Sequence, residues 1–179
     1  MSDLSLCAIA SGIPLDCRDN VGGIEYVYVA NADGVVTYDL VSGSTCEIDA
    51  VYVDGGALTT SDFYKFEVPK QSSSYTETVN VSQENGTVWY QQDVALVFNK
   101  LQCNTRNQLL LLAQNTKLLV VVKDNNGRYW SCGLEKGAEM SAGSNATGQA
   151  YGDRNGYTLT ITGYESKPMF EVDSTVVEA

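Results

Sequence analysis

TETVNVSQENGTVWYQQDVALVFN, residues 76–99, places two strand-like runs on either side of Gln83-Glu84-Asn85-Gly86. Asn-Gly supplies the positive φ angles that a tight hairpin turn demands, so a long antiparallel hairpin is predicted over residues 75–98. Its first arm, 76–82, alternates polar with small or β-branched residues and predicts a half-buried strand. The same chemistry recurs on both sides of this hairpin. Residues 24–30 carry Ile24, Tyr26 and Tyr28 on one face and Glu25, Val27 and Val29 on the other, the pattern of a strand buried on two sides. Residues 35–40, 46–53, 62–68, 118–123, 128–134 and 157–162 read as further strands. They are punctuated by Ala32-Asp33-Gly34, Asp54-Gly55-Gly56, Pro69 and Asp124-Asn125-Asn126-Gly127.

One helix interrupts them. NTRNQLLLLAQN, residues 104–115, offers Asn104 as N-cap and sets Thr105, Leu109, Leu112 and Ala113 on one face, widened by Leu110 and Leu111. Residues 137–156, rich in Gly, Ser, Ala and Asn, read as a long loop that orders against a neighbouring subunit. Residues 1–11 and 173–179 read as extended or flexible ends, the latter fraying or docking on a neighbour. The expected fold is mainly β: an antiparallel β-sandwich or partly closed barrel of about eight strands with one flanking helix, a single domain over residues 1–179.

Composition narrows the function. Twenty-two acids against 11 bases give a net charge of -11, which repels phosphate backbones and argues against sequence-specific nucleic-acid binding. No apolar run reaches the ~18 residues of a membrane span, and Asp3 without a basic segment argues against a signal peptide. The chain has no histidine, which removes the usual general base and the commonest metal ligand. Its five cysteines are widely spaced with no Cys-x-x-Cys, as in a protein holding reduced thiols. The expectation is a non-enzyme with no catalytic, cofactor or metal site. Cys17 sits among Asp16, Arg18 and Asp19. Arg18 would lower its pKa, the two acids would raise it, and no histidine serves as base. The three charges read as a structural cluster at a turn leading into the first strand. The Asp-Gly and Asn-Gly turns lack the alternating oxygens and final glutamate of a calcium loop.

Five segments occur in a distinctive order: LDCRDNVGGIEYVYVA, TETVNVSQENGTVWYQQDVALVFNKL, TRNQLLLLAQ, LLVVVKDNNGRYW and GDRNGYTLTITGYE. Together they resemble a family of virion structural proteins from tailed phages of Bacteroidota hosts, crAss-like phages included, that is similar to phage tail tube proteins. The resemblance spans about residues 12–165 and leaves 41–73 as a hairpin and loop region of variable length. It implies a β-sandwich flanked by a helix that packs through Leu109, Leu112 and Ala113. It implies hairpins extended to build rings, usually of six subunits, stacked around a channel in the virion tail. The partners it implies are the chain itself and other tail or head-tail connector proteins, with DNA as non-specific cargo and no membrane. Candidate interface or channel-wall residues on the long hairpin are Tyr75, Glu77, Val79, Val81, Val88, Trp89, Tyr90, Gln92 and Asp93. An acidic channel would let DNA slide without sticking. Two other readings compete: a carbohydrate-binding or adhesion module using Trp89 and Tyr90, and a carboxylate-pair enzyme, for which no pair stands out.

Overall fold

The structure is a computed structural model and describes residues 11–15 and 18–178. Twelve strands are linked by hydrogen bonds: β1 (Ile24–Asn31), β2 (Val36–Leu40), β3 (Glu47–Val53), β4 (Gly56–Ala57), β5 (Tyr64–Glu67), β6 (Ser74–Ser82), β7 (Thr87–Asn99), β8 (Leu118–Asp124), β9 (Tyr129–Cys132), β10 (Ala138–Ala146), β11 (Gly156–Glu165) and β12 (Glu171–Val172). Two helices join them, α1 (Cys103–Gln114) and α2 (Ser174–Val177). The predicted hairpin is β6–β7, closed by residues 83–86.

The sheet has two parts. One runs β5-β1-β8-β9-β12-β3-β2, with β4 on β3; the other runs β10-β11-β7-β6. A single bridge, Ala138 to Leu118, joins them. Gly133 and Gly137, both at positive φ, turn the chain through this corner. The two parts then face each other. Val27 and Val29 of β1, Leu118, Val120 and Val122 of β8, Val94 and Leu96 of β7, and Leu159 and Ile161 of β11 form one buried cluster. Each such side chain contributes about 1.5–3 kcal/mol by leaving water. The other face of β1 and β8 carries Tyr28, Ala30, Leu119 and Val121. These pack with Ile48, Val51, Phe63 and both valines of α2 in a second core.

The mainly β sandwich with a flanking helix is therefore present, with five corrections. The sheet does not close into a barrel, and β12 pairs parallel to β3. Residues 138–146 form a strand laddered on β11 of the same chain, so about half of the expected 137–156 loop is sheet. The long, β-rich β11 imposes this pairing on a segment whose own propensity is weak. Residues 173–178 are not an extended end: Asp173 caps α2, and Val176 and Val177 are buried in their own chain. A bulge between Ile24 and Tyr26 turns Ile24 onto the face of Val27, away from the tyrosines.

Helix α1 starts two residues earlier than predicted, with Gln102 rather than Asn104 at its N-cap. Leu112 is buried and Leu109 packs against the first core. Ala113, about 100° round the helix from Leu112, is exposed and belongs to neither core cluster. The region 41–73 holds β3, β4, a 3-10 turn over Thr60–Asp62 and β5.

Candidate assembly surfaces

Register divides the residues of the long hairpin between two faces. Tyr75, Glu77, Val79 and Val81 lie opposite Val94, Gln92, Tyr90 and Val88, and all eight point to the core side. Near the body this face is internal. Tyr75 donates its hydroxyl to Ser131 O at 3.1 Å. Gln92 is buried, donates to Glu77 Oε1 at 3.0 Å and accepts from Gly133 N at 3.1 Å. Glu77 Oε1 also accepts from Met169 N at 2.7 Å. Tyr75, Glu77 and Gln92, expected at an interface or channel wall, thus lie against the body and tie the two parts of the sheet together. Further out the same face has nothing to cover it: Val79, Val81 and Val88 are 54%, 65% and 52% exposed, and Tyr90 is half-buried. On the opposite face Trp89 stacks edge-on against Tyr164, with centroids 5.6 Å apart. Sequence reasoning missed Tyr164, because only the β7–β11 register brings it there.

The outer face of β10-β11-β7-β6 is made of cross-strand rows. One row reads Thr76, Asp93, Thr162, Glu139; the next reads Ser74, Ala95, Thr160, Ala142. Thr162 Oγ1 donates to Asp93 Oδ1 at 2.6 Å, and Gln91 Nε2 donates to Asp93 Oδ2 at 2.9 Å. Hydroxyls and small side chains dominate. Asp93 and Glu139 are the charges in these rows, and neither row contains a lysine or arginine. Both lateral edges are open among the described residues. β6 pairs only with β7, and β10 meets β8 through Ala138 alone. Nine-residue β6 has one charge and no proline, so it lacks the usual protection of an edge strand.

Beneath the base of the hairpin lies Glu165, 3% exposed. Its Oε1 accepts from Glu135 N at 3.1 Å and Lys136 N at 3.0 Å, on the connection between β9 and β10. Its Oε2 is buried without a partner. Burial raises this carboxyl's pKa, outweighing the two amides that favour the charged form. A folded-state pKa above the unfolded value means stability is fully present in acid and declines as pH rises through that window. Glu165→Gln keeps an acceptor for both amides and cannot ionise. Relative to wild type, its melting temperature is expected to rise between pH 4 and pH 8. A pH-independent difference in thermal denaturation would refute this.

Arg18 and Asp19 are exposed; Asp16 and Cys17 lie outside the described residues. Asp124 Oδ1 accepts from Asn126 N and Arg128 N, closing the β8–β9 turn, and its Oδ2 accepts from Trp130 Nε1 at 3.2 Å. Asp153 likewise accepts from Gln149 N and Ala150 N. These oxygens serve their own turns. Cys132 is buried, and desolvation pushes its thiol pKa up. Among the described residues no cluster of three or more His, Cys, Asp or Glu side chains is suited to a metal ion, and no helix is long and apolar enough to cross a membrane. A scan against protein-family models and a search of curated proteins each found no match.

Proposed function

We propose that this protein is a self-assembling virion component that forms rings of the phage tail tube, or a tube-like ring near the head-tail junction. The observation that carries this reading is a four-stranded sheet, β10-β11-β7-β6, with both edges open and an uncovered apolar hairpin at one end. A subunit whose β6 edge pairs with the β10 edge of the next satisfies both rows of free backbone groups by a heterologous contact, and such contacts close into rings. Six copies would contribute 6 × 4 = 24 strands. At a spacing of about 4.8 Å and a tilt of about 40°, such a barrel measures roughly 48 Å between backbones, ample for duplex DNA.

The hydroxyl-rich outer face then lines the channel. It supplies two carboxylates per copy from the row Thr76, Asp93, Thr162, Glu139, or 6 × 2 = 12 per ring. The whole ring carries a net charge of 6 × (-11) = -66. Across these rows the wall is mildly acidic, its four strands carry no lysine or arginine, and Arg154, which donates to Thr158, is a cation at the end of the face; DNA passes without strong adhesion.

The test is mass measurement over a concentration series with negative-stain imaging of the same samples. Rings or stacked tubes are expected from wild type. Val81→Asp, at an exposed position, is expected to leave a folded monomer. A wild-type monomer at every concentration counts against the reading. The exposed Trp89–Tyr164 pair beside Asn80 and Gln91 favours a second reading, a carbohydrate-binding module. Saccharide binding by a monomer that never forms rings would establish it instead.

A further inference from the structure

Ser11–Leu15 carries Ile13 and Leu15 in full contact with water, 99% and 101% exposed. Large apolar side chains this exposed on a short extended segment mark a contact with something else. The segment joins the body at one pole of the β1–β8 ladder, where the Asp124–Gly127 turn clamps the chain. Val21 N donates to Asn126 Oδ1 at 2.8 Å, Asn125 Nδ2 donates to Gly22 O at 2.7 Å, and Asn126 Nδ2 donates to Asn20 Oδ1 at 2.7 Å. Residues 20–22, five to seven positions along the chain from Leu15, are therefore held at this pole.

The opposite pole, where β1 ends at Asn31, holds an uncharged cleft between α1 and β5. Apolar and aromatic side chains, among them Phe66, Leu111 and Leu118, form most of its lining, Asn31, Gln108 and Asn115 complete it, and its volume is about 270 Å³. That exceeds the roughly 150 Å³ that admits a benzene ring. Its rim is open, with Leu111 59% and Tyr64 63% exposed. The four-leucine run of α1 puts it there: Leu109 and Leu112 face the core, so Leu110 and Leu111 face out. Eight residues of β1 separate arm from cleft, about 26 Å at ~3.3 Å per residue.

We propose that residues 11–15 of one copy seat in the α1–β5 cleft of a second copy stacked on that pole, with Ile13 and Leu15 as the anchors. Three observations converge on a second copy as the occupant. The cleft fits aliphatic side chains, and the arm offers two. Neither the arm sequence SGIPL nor the cleft lining contains a charged residue, so two chains of net charge -11 meet where neither repels the other. The two surfaces lie at opposite ends of one strand ladder, so the contact is head-to-tail and repeats along an axis. This deepens the self-assembly reading and rests on it for the presence of a second copy: open β6 and β10 edges close a ring, and arm and cleft join one ring to the next.

The experiment is photo-crosslinking of the full chain with Ile13→p-benzoylphenylalanine, in an equal mixture of ¹⁴N- and ¹⁵N-labelled protein at its highest soluble concentration. Mixed-isotope crosslinks from position 13 to peptides of α1 or β5 are expected. Leu111→Asp in the acceptor, an exposed position that does not endanger folding, is expected to reduce them at least about tenfold by placing a carboxylate in the uncharged cleft. Crosslinks confined to single-isotope pairs, crosslinks to other surfaces, or none at all overturn the proposal. Imaging of the same samples separates the two ideas. Crosslinks without rings leave the arm contact standing and refute the ring, whereas rings without crosslinks refute the arm contact alone.

Discussion

Gly133→Ala is expected to destabilise the protein by roughly 3 kcal/mol, a fall of about 6–12 °C in melting temperature for a chain of this size. Gly133 closes β9 at φ 72°, a conformation that costs any residue with a Cβ. Space is the second problem. A Cβ here would overlap Ala138 N and the Gly137 carbonyl carbon, both backbone atoms that cannot swing away. The Gly133 N–H also donates to Gln92 Oε1, so a shift of this residue breaks a buried hydrogen bond. Gly43 is the control: its φ is 87°, but no heavy atom lies within 4 Å of its added Cβ. Gly43→Ala should cost only the backbone strain, about 1 kcal/mol. Equal losses in the two variants, measured by denaturant unfolding, would show that the corner between the two parts of the sheet tolerates movement and is not tightly packed.

Deletion of residues 173–179 is expected to cost about 4–6 kcal/mol and to leave a protein that aggregates or fails to fold, since a typical domain has only about 5–15 kcal/mol in total. Val176 and Val177 fill the second core against β3 and Phe63. Glu178 then accepts hydrogen bonds from the hydroxyls of Tyr28 and, at 2.8 Å, Tyr129, with Lys123 Nζ 3.7 Å away. Those tyrosine hydroxyls hold the Glu178 carboxyl below its usual pKa. A lowered folded pKa means this contribution is complete above the unfolded value and fades as pH falls through the folded one. The stability gap between wild type and Glu178→Ala should therefore narrow in acid. A truncated chain as stable as wild type would overturn the role of α2, and a gap constant with pH would overturn that of the carboxylate.

Much of the fold was legible along the chain, and for identifiable reasons. Asn85-Gly86 between alternating strands specified the β6–β7 hairpin, and the two-sided apolar pattern of residues 24–30 specified a strand covered on both faces. The four-leucine run marked α1, and turn residues placed most strand boundaries within a residue or two. The candidate assembly surface was only half legible. Val79 and Val81 are as uncovered as the half-polar pattern of the first arm implied, and Val88 and Trp89 across from it are exposed as well. Tyr75, Glu77 and Gln92 alternate in the same way, but Gln92 is buried and the other two are half-buried against the body. Alternation tells which residues share a face; it does not tell where along the hairpin the body ends.

The chain by itself determined the elements whose signal is local: turn chemistry, strand and helix periodicity, acidic charge and the absence of histidine. Tertiary structure decided everything that depends on a distant partner. Small residues 138–146 became a strand because β11 lay ready to pair with them. A four-residue helix with no intrinsic stability persists because two valines fill a core built by β1, β3 and β8. Ile24 changed faces through one bulge, and Gln92 and Glu165 were buried by the corner at Gly133–Ala138. Each of these outcomes is set by long-range burial and pairing, whose free energy exceeds the local preference of the segment it acts on.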